Sequence, residues 1–263
     1  MSETCTLAVK NAVATVTLAR PDVHNAFDET LIARLSAILA ALDADPAVRA
    51  VILAGEGRSF CAGADLEWMR RMADFGDAEN VDDARALAAM LHALYRLSKP
   101  TIARVHGAAF GGGVGLIAAC DIAIGVETAQ FALSEARLGL IPATIAPYVI
   151  EAIGARAARR YFVTAERFAA VDAVRIGLLH EAVAASCLDA RIAEVVALVM
   201  VAGPAAQRES KKLIRDVAGR PIDAEVIATT ACRIADVRAS PEGREGVAAF
   251  LARRKPGWAG NPE

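Results

Sequence analysis

TIARVHGAAFGGGVGLIAACDIAI, residues 101–124, is the stretch on which the fold turns. TIARVH at its start and DIAIGV (121–126) at its end are short apolar runs that predict strands. Between them Gly111, Gly112 and Gly113 stand in a row, with Gly115 close behind. Glycine is costly to order, so such a run weakens helix and strand alike and must serve a purpose. A phosphate loop needs a lysine and a Ser or Thr after its last glycine, and none follows. A dinucleotide fingerprint counted from Gly111 and Gly113 meets Leu116 at its third glycine position. A nucleophile elbow needs a serine, which the run lacks. The use left is made of backbone. A strand ending near Phe110 and a helix starting near Gly112 leave unpaired N–H groups at a positive helix terminus, open to close approach by an oxygen. That is how an oxyanion hole is built. Close packing of the corner against a neighbour is the other use of such glycines.

A second corner has the same plan. AVILAG (50–55) reads as a strand covered on both faces. It is followed by GRSFCAGADLEWMRRM (57–72), where Ala62, Gly63 and Ala64 precede a helix that Asp65 can cap. Two strand-to-helix corners of small residues could each aim one N–H at a single oxygen.

Working outward, AVATVTLA (12–19) alternates and predicts a strand burying Ala14, Val16 and Leu18. Leu31, Leu35, Ile38, Leu39 and Leu42 fall at helical spacing behind a capping Asp28. Leu87, Met90, Leu91, Leu94 and Leu97 mark a second helix, stopped by Pro100. Strands alternating with helices predict an α/β architecture. From about residue 155 the pattern is mostly helical. Gly203-Pro204 breaks it, and helices are expected near 205–217, 222–238 and 241–254. This divides the chain into a core over 1–200 and a helical region over 201–263.

The totals exclude several classes. Of 263 residues, 29 are Lys or Arg and 31 are Asp or Glu, so the net charge of -2 offers nothing to nucleic acid or anionic membrane. Aromatics at 5% are too few for base-stacking platforms. Cys5, Cys61, Cys120, Cys187 and Cys232 are odd in number and widely spaced, which reads as reduced thiols in a cytoplasmic protein. The histidines form no HExxH and no metal site is expected. No secretory leader pattern opens the chain, and no apolar run reaches the ~20 residues of a membrane span.

RSFCAGADL (58–66), KPTIARVHGAAFGGGVGLIAACDIAI (99–124) and FALSEARLGLIP (131–142) together resemble the enoyl-CoA hydratase/isomerase family, of crotonase fold. ARPDVHNAFD (19–28) and SPEGREGVAAFLARRK (240–255) are similar to it too, so the likeness runs almost the length of the chain. It implies a spiral of ββα units with a C-terminal helical trimerisation region, a homotrimer or homohexamer, and an acyl-CoA thioester substrate. Coenzyme A is then part of the substrate and no cofactor is implied. By motif position the oxyanion donors are the N–H groups of Ala64 and Gly112, and Glu135 is the catalytic acid/base. Apolar neighbours raise a carboxyl's pKa towards neutrality, which suits that role. A surface salt bridge with Arg137 is the plainer use of Glu135.

Hydratases of the family carry a second glutamate three residues past the middle glycine, and here Gly115 takes its place. AFGGGVGL (109–116) with EARLGLIPATIAPYV (135–149) looks most like the bacterial methylglutaconyl-CoA and carboxygeranoyl-CoA hydratase branch. The resemblance thus implies hydration of a branched or carboxylated enoyl-CoA, with Gly115 leaving room for the substrate's carboxylate. An isomerase shuttling a proton with one glutamate, and a non-catalytic acyl-CoA-binding protein, are the alternatives. Ala62, Asp65, Leu66 and Gly113 are expected to contact the substrate. Trp68, Met69 and Met72 follow Asp65 at near-helical spacing, as residues that line the acyl pocket or as plain core. By position in the resemblance Ile141, Pro142 and Thr144 are expected to flank the acyl end. Arg20 and Asn25 are expected near the nucleotide of coenzyme A. Phe250, Arg253 and Lys255 are expected to reach a neighbouring subunit's coenzyme A. Cys61 and Ser134 are the candidates were the chemistry nucleophilic.

Overall fold

Alternation builds the first sheet. The computed structural model describes residues 4–259. It opens with β1 (Cys5–Lys10) and β2 (Val13–Leu18), an antiparallel pair. On β2 the inward residues Ala14, Val16 and Leu18 are all 0% exposed, as a half-buried strand requires. α1 (Glu29–Ala44) follows, its Asp28 cap accepting from Leu31 N–H at 2.7 Å, with Leu31, Leu35, Ile38, Leu39 and Leu42 buried.

From there the chain repeats one excursion three times. β3 (Ala50–Gly55) leads to β4 (Ser59–Cys61) and then to α2 (Leu66–Met72) and α3 (Asp77–Arg96). β5 (Thr101–Val105) leads to β6 (Ala108–Phe110) and α4 (Gly112–Ala119). β7 (Ile122–Val126) leads to β8 (Gln130–Ala132) and α5 (Ala146–Thr164). The chain continues through β9 (Arg167–Ala169), α6 (Ala170–Ile176), β10 (Glu181–Val183) and α7 (Leu188–Val201). The first strand of each excursion joins a six-stranded sheet ordered β1-β2-β3-β5-β7-β10, parallel beyond the first pair. The second strand joins a four-stranded sheet ordered β4-β6-β8-β9. This is a spiral of ββα units: each turn is displaced by one strand from the last, so like corners stack beside one another. The core is continuous, running from Leu35 and Leu39 on α1 through Leu53, Ile102 and Ile124 on the strands to Met90, Leu91 and Leu94 on α3.

The C-terminal residues form α8 (Pro204–Val217), α9 (Ala224–Ala239) and α10 (Pro241–Leu251). They bury little: nothing on α8, Val226 on α9, Ala249 on α10. Ile227, Ile234, Val247 and Phe250 are exposed. Arg49, just before β3, donates to the carbonyls of Ala202, Met200 and Trp258, tying α7 and the C-terminal stretch to that end of the sheet. No helix among the described residues is long and apolar enough to cross a membrane.

Candidate active site

Both corners form as their sequences predict, and they meet. After β4 the chain turns through Ala62 and Gly63, the latter at φ +91°, and enters α2. Phe27 pairs with this turn: its N–H donates to Gly63 O at 2.6 Å, and its carbonyl accepts from Asp65 N–H at 2.8 Å. In a parallel bridge of this kind the N–H of the middle residue, Ala64, points away from the pairing strand. Ala64 is exposed. After β6, Gly111 reverses the chain at φ +49° and donates to Ala132 O at 2.9 Å, and α4 starts at Gly112. As the first helical residue, Gly112 has no intrahelical acceptor for its N–H.

Missing side chains bring the corners together. A Cβ on Gly63 would lie 3.0 Å from Phe110 O and 3.8 Å from Gly111 Cα. A Cβ on Gly111 would lie 4.0 Å from Gly63 Cα and 3.0 Å from Glu135 Oε1. One on Gly112 would strike the Phe27 ring at 2.6 Å. Phe27 therefore serves both corners, its backbone paired with the first and its ring packed on the second. Sequence reading passes over it, because a lone aromatic between a turn loop and a helix gives no pattern.

Glu135 opens a one-turn 3-10 helix, Glu135–Leu138, just past β8. Its carboxyl is half-buried, and Oε2 is buried without a hydrogen-bond partner. Burial raises its pKa above the usual carboxylate range, outweighing the lowering effect of a hydrogen bond from its own backbone N–H. Among the described residues no salt bridge joins it to Arg137, which is exposed. Free donors at two helix-entry corners and a protonatable carboxyl against Gly111 can stabilise a developing oxyanion and move a proton beside it.

Several other expectations need correction. Gly115 leaves no room: a Cβ there would lie 2.3 Å from Ile145 Cγ2 and 2.8 Å from Ile145 Cβ, so an isoleucine fills the space argued for a substrate carboxylate. Gly113 is equally a packing glycine, its missing Cβ 2.4 Å from Cys61 O. Arg20 is not available to a nucleotide phosphate. Its guanidinium pairs with Asp28 at 2.8 Å and Asp65 at 2.9 Å and donates to Ala26 O. Asn25, 0% exposed, spends its amide on the carbonyls of Glu56, Ser59 and Phe60. Asp65 faces inward, capping α2 through Glu67 and Trp68 N–H at 2.8 and 3.2 Å. Trp68 is 3% exposed, and its indole N–H donates to Asp83 at 3.1 Å, so it joins α2 to α3 within the core.

Leu66, the first residue of α2, and Ile141 are exposed, Thr144, Met69 and Met72 are half-buried, and Pro142 is buried. Ala62 is half-buried, with its N–H on His24 O at 2.9 Å. Cys61 is fully buried, and burial pushes its thiol up to about 12, which makes it no nucleophile. Ser134 is half-buried at the start of the Glu135 turn. Phe250 and Arg253 are exposed. The stretch that carries them and Lys255 continues to Trp258, held beside α7 and Arg49 at the entry to β3. Ala64 follows the other end of that strand, so this stretch is not brought to its own chain's corners. A cavity of about 630 Å³ lies between the entries of β5 and β7 and α8, lined by Pro100, Asp121, His180 and Lys211; it too is apart from Glu135.

The family model described as enoyl-CoA hydratase/isomerase matches residues 8–261. A solved enoyl-CoA hydratase from Shewanella pealeana is 41% identical, with a TM-score of 0.95 over 97% of this chain and 96% of that one. A solved enoyl-CoA hydratase/isomerase from Marinobacter aquaeolei is 35% identical, with a TM-score of 0.92 over 98% of this chain and 100% of its own. The enoyl-CoA hydratase ACTT6 of Alternaria alternata is 33% identical over 245 residues, 91% of this chain and 78% of its own length.

Proposed function

The chain belongs to the enoyl-CoA hydratase/isomerase family, and from that premise we propose that it adds water across the 2,3-double bond of an acyl-CoA thioester. The observation that carries this reading is the Glu135 carboxyl packed against Gly111, where the two corners meet and the N–H groups of Ala64 and Gly112 have no acceptor among the described backbone bonds. The thioester oxygen accepts from Ala64 and Gly112 N–H. Attack at the β-carbon places negative charge on that oxygen as an enolate, and donors already in place stabilise it without reorganising. Glu135 takes a proton from the attacking water and returns one to the α-carbon, so both arrive on one face of the double bond. No cofactor enters these steps.

A second reading is isomerisation, in which Glu135 carries one proton between the α- and γ-carbons. Ile145 favours it by filling the space beside Gly115, which leaves a single carboxylate at the corners. A panel of enoyl-CoA esters in heavy-oxygen water separates the two. Label in a 3-hydroxyacyl product is the expected result, whereas a shifted double bond without label makes the protein an isomerase. Absence of either reaction, with ester binding retained, would leave a non-catalytic binder.

For the acyl group the reading remains a branched or carboxylated enoyl-CoA. Its support is the likeness of residues 109–116 and 135–149 to the methylglutaconyl-CoA and carboxygeranoyl-CoA hydratase branch, and no longer any room at Gly115. Residues 201–263 serve assembly into a trimer or hexamer and contact with a neighbour's coenzyme A. The exposed Ile227, Ile234, Val247 and Phe250 support that role, being apolar surface with no cover from their own chain. A cytoplasmic location fits the odd number and wide spacing of the five cysteines.

A further inference from the structure

The segment that carries Glu135 runs from β8 to the start of α5, and much of it lies on the surface. Ala136 to Ile141 are all exposed. It touches the glycine corner at both ends. At its start Glu135 Oε1 stands against Gly111. At its end Ile145, 2% exposed and at the N-cap of α5, fills the space at Gly115: the position of a Gly115 Cβ is 2.3 Å from Ile145 Cγ2 and 3.7 Å from Leu91 Cδ2. Gly111 and Gly115 are four residues apart and joined by the Gly115 N–H to Gly111 O bond of 3.3 Å, so they lie one above the other on a single face of α4.

We propose that Ile145 is a positioning residue: locked into the hollow at Gly115, it holds the segment so that Glu135 meets the Gly111–Gly112 corner. The inference rests on the role given to Glu135 above. The atom that makes the contact is Cγ2, which is attached directly to Cβ. A β-branched side chain is stiff at χ1, so this methyl reports the backbone position of residue 145 and cannot swing aside cheaply. The contact therefore registers backbone against backbone, α5 against α4. Glycine at 115 is what allows the approach, and no side chain larger than hydrogen fits there while isoleucine occupies 145. An error of about 1 Å in a catalytic group can cost about a hundredfold in rate, which is the scale this lock protects.

Three variants test it. Ile145→Val keeps Cγ2, Ile145→Leu keeps the volume and loses the β-branch, and Ile145→Ala loses both. The readouts are kcat, KM and exchange of α-protons from a saturated acyl-CoA into heavy water, each per folded protein. Leu and Ala are expected to lower kcat and exchange about tenfold or more with KM within about twofold, while Val keeps most of both. A residue that only fills volume gives the reverse order, Leu close to the parent and Val worse. Full kcat and exchange in the Leu variant, beside a Glu135→Gln variant that exchanges nothing, overturns this inference alone. Exchange that persists in Glu135→Gln overturns the reading of Glu135, and this inference with it.

Discussion

Oε1 of Glu135 lies 3.0 Å from the point that a Cβ on Gly111 would occupy. Gly111 also has φ +49°, in the left-handed region where a side chain is strained. Gly111→Ala is therefore expected to displace the carboxyl and distort the turn that aims Gly112 N–H. The outcome is a fall in kcat/KM of about a hundredfold or more, with a lower thermal midpoint. Steady-state kinetics on the folded variant check it, and unchanged kcat would place Glu135 elsewhere during catalysis.

Glu135→Gln retains the shape of the site and removes the proton acceptor. Turnover is expected to fall about 10²–10⁴-fold, while affinity for a non-reacting CoA ester, read by calorimetry, stays close to that of the parent. A Gln variant that still turns over would exclude Glu135 as the acid/base.

The raised pKa of Glu135 has two consequences of known sign. Activity that needs the carboxylate is lost as pH falls through a value above that of an ordinary glutamate. Stability runs the other way. A carboxyl whose pKa is higher folded than unfolded favours the native state below its unfolded pKa, and that contribution is lost as pH rises through the folded value. Glu135→Gln should therefore melt higher than the parent at about pH 7.5, with the gap closing towards about pH 4. Equal melting at both pH values would mean the carboxyl is not desolvated.

Arg20 and Asp65 are expected to behave as structural residues. Burial alone would raise the Asp65 carboxyl, but the N–H groups of Trp68 and Glu67 and the Arg20 charge outweigh it and hold it low. Its stabilising contribution is present above the unfolded pKa and is lost as pH falls through the folded one. Asp65→Ala removes a cap and an ion pair, a loss of about 1–3 kcal/mol by denaturant titration. Arg20→Met should destabilise in the same way yet leave the KM for a CoA ester unchanged. A large rise in KM with full stability would return Arg20 to the nucleotide site.

Gly115→Glu is expected to fail on every substrate alike, because its Cβ would lie inside Ile145. Crotonyl-CoA and a β-carboxymethyl ester should lose activity together, along with the thermal midpoint. A selective loss on the carboxylated ester would mean that position 115 faces the substrate after all.

Much of this was legible in order along the chain. The strands at 13–18, 50–55, 101–105 and 122–126 and the helix over 29–44 with its Asp28 cap follow from period and capping alone. So do the helices of the C-terminal region, within a few residues at each end. The strands of the second sheet are three residues each, too short for any period to register, and only their stacking side by side makes them strands. The side-chain roles were less legible. Arg20 and Asn25 sit in a polar loop that looks open to solvent, yet one is paired with two carboxylates and the other is wholly enclosed. Asp28 and Ala26 are local partners of Arg20, but the others lie about 30 to 45 residues away, at Glu56, Ser59, Phe60 and Asp65, and local sequence says nothing of them.

By itself the sequence determined that two glycine- and alanine-rich corners each enter a helix after a strand, because hydrophobic period, small residues and capping are local properties of the chain. By residue likeness it also pointed to Glu135 as the acid to look for beside them. Only the tertiary structure decided that Gly63, Gly111 and Glu135 touch, that Phe27 supports both corners, and that Gly115 is filled by Ile145 and not open to substrate. Those are packing outcomes: whether the hollow beside a glycine stays empty depends on which distant side chain the spiral winds against it.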